Sequence, residues 1–127
     1  MSHIKQILVV DDDAEMTTLL NDFLKRQGYS VATTSSVEGA LNWLSSQPQS
    51  PDLILSDVKM GTASGIDLVK RLSVERPGLP VVLFSVFDEL EKEALRGGAK
   101  KFLKKPFGLA KLARIVADEL DGKGKKK

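Results

Sequence analysis

Apolar residues fall along this chain in two rhythms that alternate from start to end. Ile7-Leu8-Val9-Val10, Leu53-Ile54-Leu55 and Val81-Val82-Leu83-Phe84 are short unbroken runs, the pattern of strands buried on both faces. Between the first two, Met16, Leu19, Leu20, Phe23 and Leu24 recur at i, i+3, i+4, i+7 and i+8, which predicts a helix with one core-facing stripe. Gly28 ends it, and residues 29–32 form a shorter second strand. Val37, Ala40, Leu41 and Leu44 mark a second helix, opened by Ser35 and Glu38 at capping-box spacing. Ile66, Val69 and Leu72 mark a third, Leu90, Ala94 and Leu95 a shorter fourth, and Leu109, Leu112, Val116 and Leu120 a fifth. A fifth strand covers 101–103. Five strand–helix units predict an α/β fold, a doubly wound five-stranded parallel sheet with helices on both faces and right-handed crossovers.

The 127 residues suit one domain with a single core. No cysteine is present, so thiolate metal sites and disulfides are excluded. No apolar run reaches the roughly 20 residues of a membrane span, and the start lacks a signal-peptide core, so a cytoplasmic setting is expected. The net charge of +2 depends on the last six residues, Gly122 to Lys127; setting their four lysines aside leaves −2. Residues 122–127 are therefore read as a disordered tail or linker stump after a domain spanning 1–121. Charge alone gives no case for direct nucleic-acid binding.

Parallel strands deliver their carboxyl ends to one edge of the sheet, where ligands of such folds bind. Strand one ends there in Asp11-Asp12-Asp13, strand three in Asp57, strand four in Ser85, and strand five runs into Lys105; strand two supplies no such residue. Asp13 is assigned to capping the first helix, whose N-terminus favours negative charge. The remaining acids exceed what a cap needs. Two carboxylates about 4 Å apart repel by roughly 4 kcal/mol at an effective dielectric near 20. Such a group calls for a cation, and carboxylate oxygens without histidine or cysteine suit Mg²⁺. His3, the one histidine, lies at the very start, away from this edge. The stretch Gly61 to Gly65 lacks the Gly-Lys-Ser/Thr of a phosphate-binding P-loop.

Taken in order and spacing, Val9-Val10-Asp11-Asp12-Asp13, Leu55-Ser56-Asp57 with Met60, Ser85, and Phe102-Leu103-Lys104-Lys105-Pro106-Phe107 resemble the receiver domains of two-component response regulators over residues 4–120. The resemblance implies a flavodoxin-like sheet of order 2-1-3-4-5 with five helices, an order owed to the family as much as to the pattern. It implies that Asp57 is phosphorylated by a sensor histidine kinase or phosphotransfer protein. Asp12 would bind Mg²⁺ directly, Asp11 partly through water, with Asp57 and the Lys59 backbone carbonyl completing the protein ligands. Lys105 would neutralise the phosphoryl oxygens. Ser85 would be the switch hydroxyl and Phe102 the aromatic that moves with it, and a cis Lys105–Pro106 bond would aim Lys105 at the site. The domain would be a switch rather than an enzyme. Its fourth helix, fifth strand and fifth helix would meet a downstream effector, a covalently linked output domain or a second copy.

Two positions depart from the family pattern, and two others tune its chemistry. Gly61 stands where proline is common, which would loosen the loop after Asp57. Val86 replaces a small residue after Ser85, and Lys59 and Phe87 occupy positions that tune loss of the phosphoryl group. Two other readings compete. A receiver-fold scaffold could bind its partner without phosphorylation. A haloacid-dehalogenase-type phosphatase could use Asp11 and Asp13, but no acidic pair follows Lys105 at a strand end, since Asp118 and Glu119 fall in the last helix. The departures predict a phosphorylated form that is at least moderately long-lived. Its half-life should shorten in Val86→Ala and Lys59→Asn variants; equal half-lives in all three proteins would remove this expectation.

Overall fold

The computed structural model describes residues 4–121, so His3 and the lysine-rich 122–127 lie outside the described residues. In chain order the elements are β1 (Gln6–Val10), α1 (Ala14–Arg26), β2 (Ser30–Thr34), α2 (Val37–Ser46), β3 (Leu53–Asp57), β4 (Lys59–Met60), β5 (Ala63–Ser64), α3 (Gly65–Glu75), β6 (Val81–Ser85), α4 (Glu91–Gly97), β7 (Lys101–Lys104) and α5 (Leu109–Asp121). A 3₁₀ turn, Asp88–Leu90, leads into α4. The five long strands form one parallel sheet, ordered β2-β1-β3-β6-β7. Counting only those strands, this is the expected 2-1-3-4-5 arrangement.

Strand alternation sorts the apolar residues into two layers. Ile7, Val9, Leu53, Leu55, Val82, Phe84 and Leu103 pack on Leu20 and Leu24 of α1 and on Leu112 and Val116 of α5. Leu8, Val10, Ile54, Val81 and Leu83 pack on α2, α3 and α4 through Val37, Ala40, Leu44, Leu68, Val69, Leu72 and Ala94. Because both faces are covered, successive residues of the central strands are apolar up to their carboxyl ends, which explains the unbroken runs. At roughly 1.5–3 kcal/mol for each fully buried aliphatic side chain, these layers hold the sheet rigid.

Helix starts are fixed by side chains. Asp13 accepts from the Glu15 backbone N–H at 3.0 Å and caps α1 as expected. α2 differs from expectation: Ser36, not Ser35, accepts from Gly39 N–H at 2.9 Å. Ser64 caps α3 through Ile66 N–H at 3.0 Å. Two stripe residues also fall outside the core. Leu19 is 46% exposed and Leu95 41% exposed, because each helix turns only a narrow face toward the sheet. The Lys105–Pro106 peptide is cis.

The segment after Asp57, expected as a loop turning through Gly61 to Gly65, is a small hairpin in which Lys59 pairs with Ser64 and Met60 with Ala63. Gly61 sits at its tip with φ +59°, a conformation closed to the proline common there in the family. Gly65 N–H then donates to the Val58 carbonyl at 2.7 Å. A Cβ added to Gly65 would stand 2.3 Å from the Asp57 carbonyl oxygen and 3.1 Å from Ser56 Oγ. This position tolerates no side chain without moving Asp57. Gly65→Ala should therefore lower unfolding free energy by about 1–3 kcal/mol, read from urea denaturation. An unchanged midpoint would show that the backbone here yields freely.

Candidate functional site

Register places the site. Val10 lies opposite Ser56 in the β1–β3 pairing, so the next residues, Asp11 and Asp57, leave adjacent strands side by side. One carboxylate oxygen from each of Asp11, Asp12 and Asp57 lies within 4.8 Å of the others. Asp11 and Asp57 are buried, whereas Asp12 is exposed. From the end of β7, Lys105 brings its ammonium to 3.5 Å from both Asp11 Oδ2 and Asp57 Oδ1. The same nitrogen lies over the Phe84 ring, 5.0 Å from its centroid, and that ring packs against Phe107 at 5.7 Å. Lys105 is thus held between two carboxylates and an aromatic face.

One lysine does not balance this cluster. Burial first, and then the neighbouring Asp11 charge, push the Asp57 carboxyl from 3.8 to about 6, against the opposing pull of Lys105 and the Val58 backbone. Asp11 is also raised, chiefly by burial, against the Asp13 N–H that donates to its Oδ1 at 3.0 Å. Asp11 Oδ2 is buried and makes no hydrogen bond, its salt-bridge partner being the Lys105 ammonium at 3.5 Å, which leaves it able to meet a further cation. An octahedral Mg²⁺ shell sets its oxygens roughly 3–4 Å apart, so small side-chain adjustments would gather these three. The donor set fits a hard divalent cation.

Ser85 ends β6, buried, and its Oγ accepts from Phe87 N–H at 3.0 Å. Phe102 is partly buried against the α2–α4 layer. Val86 is 55% exposed. With Met16, Leu19, Pro106 and Phe107 it borders an apolar cleft of about 360 Å³ beside Lys105. Lys59 is exposed, and its ammonium lies 5.2 Å from the Phe87 ring centroid.

A family model, the response regulator receiver domain, matches residues 7–117. The chain belongs to that family. This receiver domain is 37% identical over 116 residues to the DNA-binding transcriptional regulator NtrC of Rhizobium meliloti strain 1021, covering 90% of this chain and 24% of NtrC. It is 38% identical over 117 residues to the alkaline phosphatase synthesis transcriptional regulatory protein PhoP of Bacillus subtilis strain 168, covering 89% of this chain and 48% of PhoP. The chain therefore spans about a quarter of NtrC and about half of PhoP. Among solved structures, the response regulator TrrA of Thermotoga maritima superposes with a TM-score of 0.84 at 25% identity, over 92% of this chain and all of that one.

The structure adds two residues to the receiver site that the sequence reading passed over. Thr34 ends β2, so the second strand does deliver a polar group to this edge. Its Oγ1 is buried without a hydrogen-bond partner and borders a cleft shared with Asp11, Asp12 and Thr17. An alternating polar end to an otherwise mixed strand was its only signal. Gly65 is the second; its signal was a glycine immediately before the apolar stripe of α3.

The raised Asp57 carboxyl has a thermodynamic consequence. The folded state holds this proton more tightly than the unfolded chain, so stability falls as pH rises from about 4 to about 6 and the loss persists above that. Moving a carboxyl from 3.8 to about 6 corresponds to at most about 3 kcal/mol. Asp57→Asn lacks that penalty. Without divalent cations its melting temperature near neutral pH should exceed wild type by about 5–10 °C, the gap closing below about pH 4. A gap that stays the same at both pH values would contradict the assignment.

Proposed function

We propose that this receiver domain is a phosphorylation-activated switch in which Asp57 accepts a phosphoryl group from the phosphohistidine of a sensor histidine kinase or phosphotransfer protein. The observation that carries this reading is the convergence of Asp11, Asp12 and Asp57 on one lysine at the carboxyl edge of a parallel sheet. An Asp57 oxygen attacks phosphorus while the phosphorus–nitrogen bond of the donor breaks, leaving an acyl phosphate. With its carboxyl at about 6, Asp57 is mostly ionised at neutral pH and able to attack. Lys105, already poised at 3.5 Å, meets the phosphoryl oxygens as charge spreads over them.

Mg²⁺ would be held by Asp11, Asp12, Asp57 and the Lys59 carbonyl, and when bound it neutralises phosphoryl oxygens. The TrrA structure is a complex with Mg²⁺ and beryllium fluoride, and the receiver domain of DrrB, 26% identical, is described as activated by the same kind of fluoride, which supports this reading. Ser85 would turn its hydroxyl to the phosphoryl group and Phe102 would follow, altering the face of α4, β7 and α5. An output domain, in line with NtrC and PhoP, or a second copy would read that face. A cytoplasmic location follows from such partners; among the described residues no helix is long and apolar enough to cross a membrane. Lys59, Val86 and Phe87 would set the phosphoryl lifetime. In the phosphatase reading Asp13 would act as an acid at the site, yet its carboxylate is engaged in capping α1.

Intact-protein mass spectrometry after incubation with Mg²⁺ and acetyl phosphate should show one phosphoryl adduct in the wild type and none in Asp57→Asn. Lys105→Met should slow its formation by about 100-fold. No adduct from acetyl phosphate or from a phosphorylated kinase would favour a scaffold that binds without phosphorylation.

A further inference from the structure

Two contacts meet at Phe87. Its backbone N–H donates to Ser85 Oγ at 3.0 Å, the one hydrogen bond of that hydroxyl among the described residues. Its ring lies beneath the Lys59 ammonium at 5.2 Å. Lys59 stands two residues past Asp57 in β4, and Phe87 two past Ser85, so this one contact spans the loops that follow β3 and β6. The Phe87 carbonyl accepts from Leu90 N–H at 3.1 Å, closing the 3₁₀ turn at the head of α4.

We propose that the Lys59–Phe87 contact is a latch that keeps the Ser85 hydroxyl on the Phe87 N–H and opposes the switch. The proposal rests on Asp57 being the phosphoryl acceptor. When Ser85 Oγ turns toward a group on Asp57, the Phe87 N–H loses its acceptor and the backbone from 86 to 88 shifts to find another. That shift carries the ring away from Lys59. A cation over an exposed aromatic ring biases a two-state equilibrium by about two- to five-fold, enough to tune a switch without locking it. Release of Phe87 also disturbs its carbonyl bond to Leu90, which passes the change to α4. Lys59 and Phe87 are thus positioning residues that act through Ser85, and they work as a pair rather than as two separate influences on lifetime.

The test uses the whole chain with Mg²⁺ and beryllium fluoride as the probe, followed by the NMR amide signals of Phe87 and Leu90. The proteins compared are wild type, Lys59→Met, Phe87→Leu, the double variant and Asp57→Asn. In unliganded wild type the Lys59 ε-methylene protons should carry a ring-current shift that disappears in Phe87→Leu. Each single variant should bind the probe two- to five-fold more tightly, and the double variant no more tightly than either single one. Single variants that bind like wild type or more weakly would overturn the latch. So would a Lys59→Met effect that persists in the Phe87→Leu background, which marks a general charge effect on the metal site. Wild type that binds no better than Asp57→Asn would overturn the acceptor reading itself, and the latch with it.

Discussion

Like charges held together away from water are the constraint around which this domain is built. Asp11 and Asp57 are buried at neighbouring strand ends, with Asp12 close by and one lysine between them. In an unfolded chain these carboxylates would separate and hydrate. Here the β1–β3 ladder fixes their separation, and two apolar layers keep that ladder rigid. The repulsion is of order a few kcal/mol, a substantial fraction of the 5–15 kcal/mol by which domains are usually stable. The layers must therefore exceed what the fold alone requires. That repulsion is relieved by a proton on Asp57 or by added positive charge, so a cation held here would draw on the energy stored by the fold.

The backbone behind Asp57 is constrained as tightly as its side chain. Gly65 packs its Cα against the Asp57 carbonyl, Ser56 Oγ donates to that same carbonyl at 2.9 Å, and Val58 N–H donates to the Phe84 carbonyl at 3.0 Å. The hairpin with Gly61 at its tip then returns the chain to α3 within a few residues. If Asp57 is the acceptor, as proposed, being held this firmly leaves it little to reorganise on reaction, which is the main thing a protein contributes to phosphoryl transfer. The freedom that the proposed switch requires must then lie elsewhere, in the loop after β6.

What could be read from the sequence follows from how local each cause is. Apolar runs and helical stripes are local, so the five main strands and five helices were legible, and parallel strands then carried Asp11, Asp57, Ser85 and Lys105 to one edge. Ser35 and Ser36 are chemically alike, and only backbone conformation selects Ser36 as the cap. Leu19 fits the α1 stripe by spacing, but how far that stripe wraps depends on α5 and the β7–α5 loop beside it. The hairpin after Asp57 hides because two-residue strands have no periodicity. The Lys59–Phe87 contact joins two loops 28 positions apart, and no local pattern signals it.

The alternation that builds the two layers also governs how a signal can travel. Asp57 continues the parity of Leu53 and Leu55, on the α1–α5 side, where Lys105 meets it. Ser85 continues the parity of Leu83, on the α2–α4 side, where Phe102 also packs. Leu83 pairs with Phe102 and Ser85 with Lys104, so Ser85 and Phe102 are diagonal neighbours on one face of the sheet. The proposed acceptor and the proposed switch pair thus start from opposite faces of the sheet, though at adjacent strand ends: Asp57 lies opposite Phe84, one position before Ser85. The change has to pass around the strand ends, through the short loops at the carboxyl edge. Phe87 lies on that route, joined by one hydrogen bond to Ser85 and by another to the turn that opens α4.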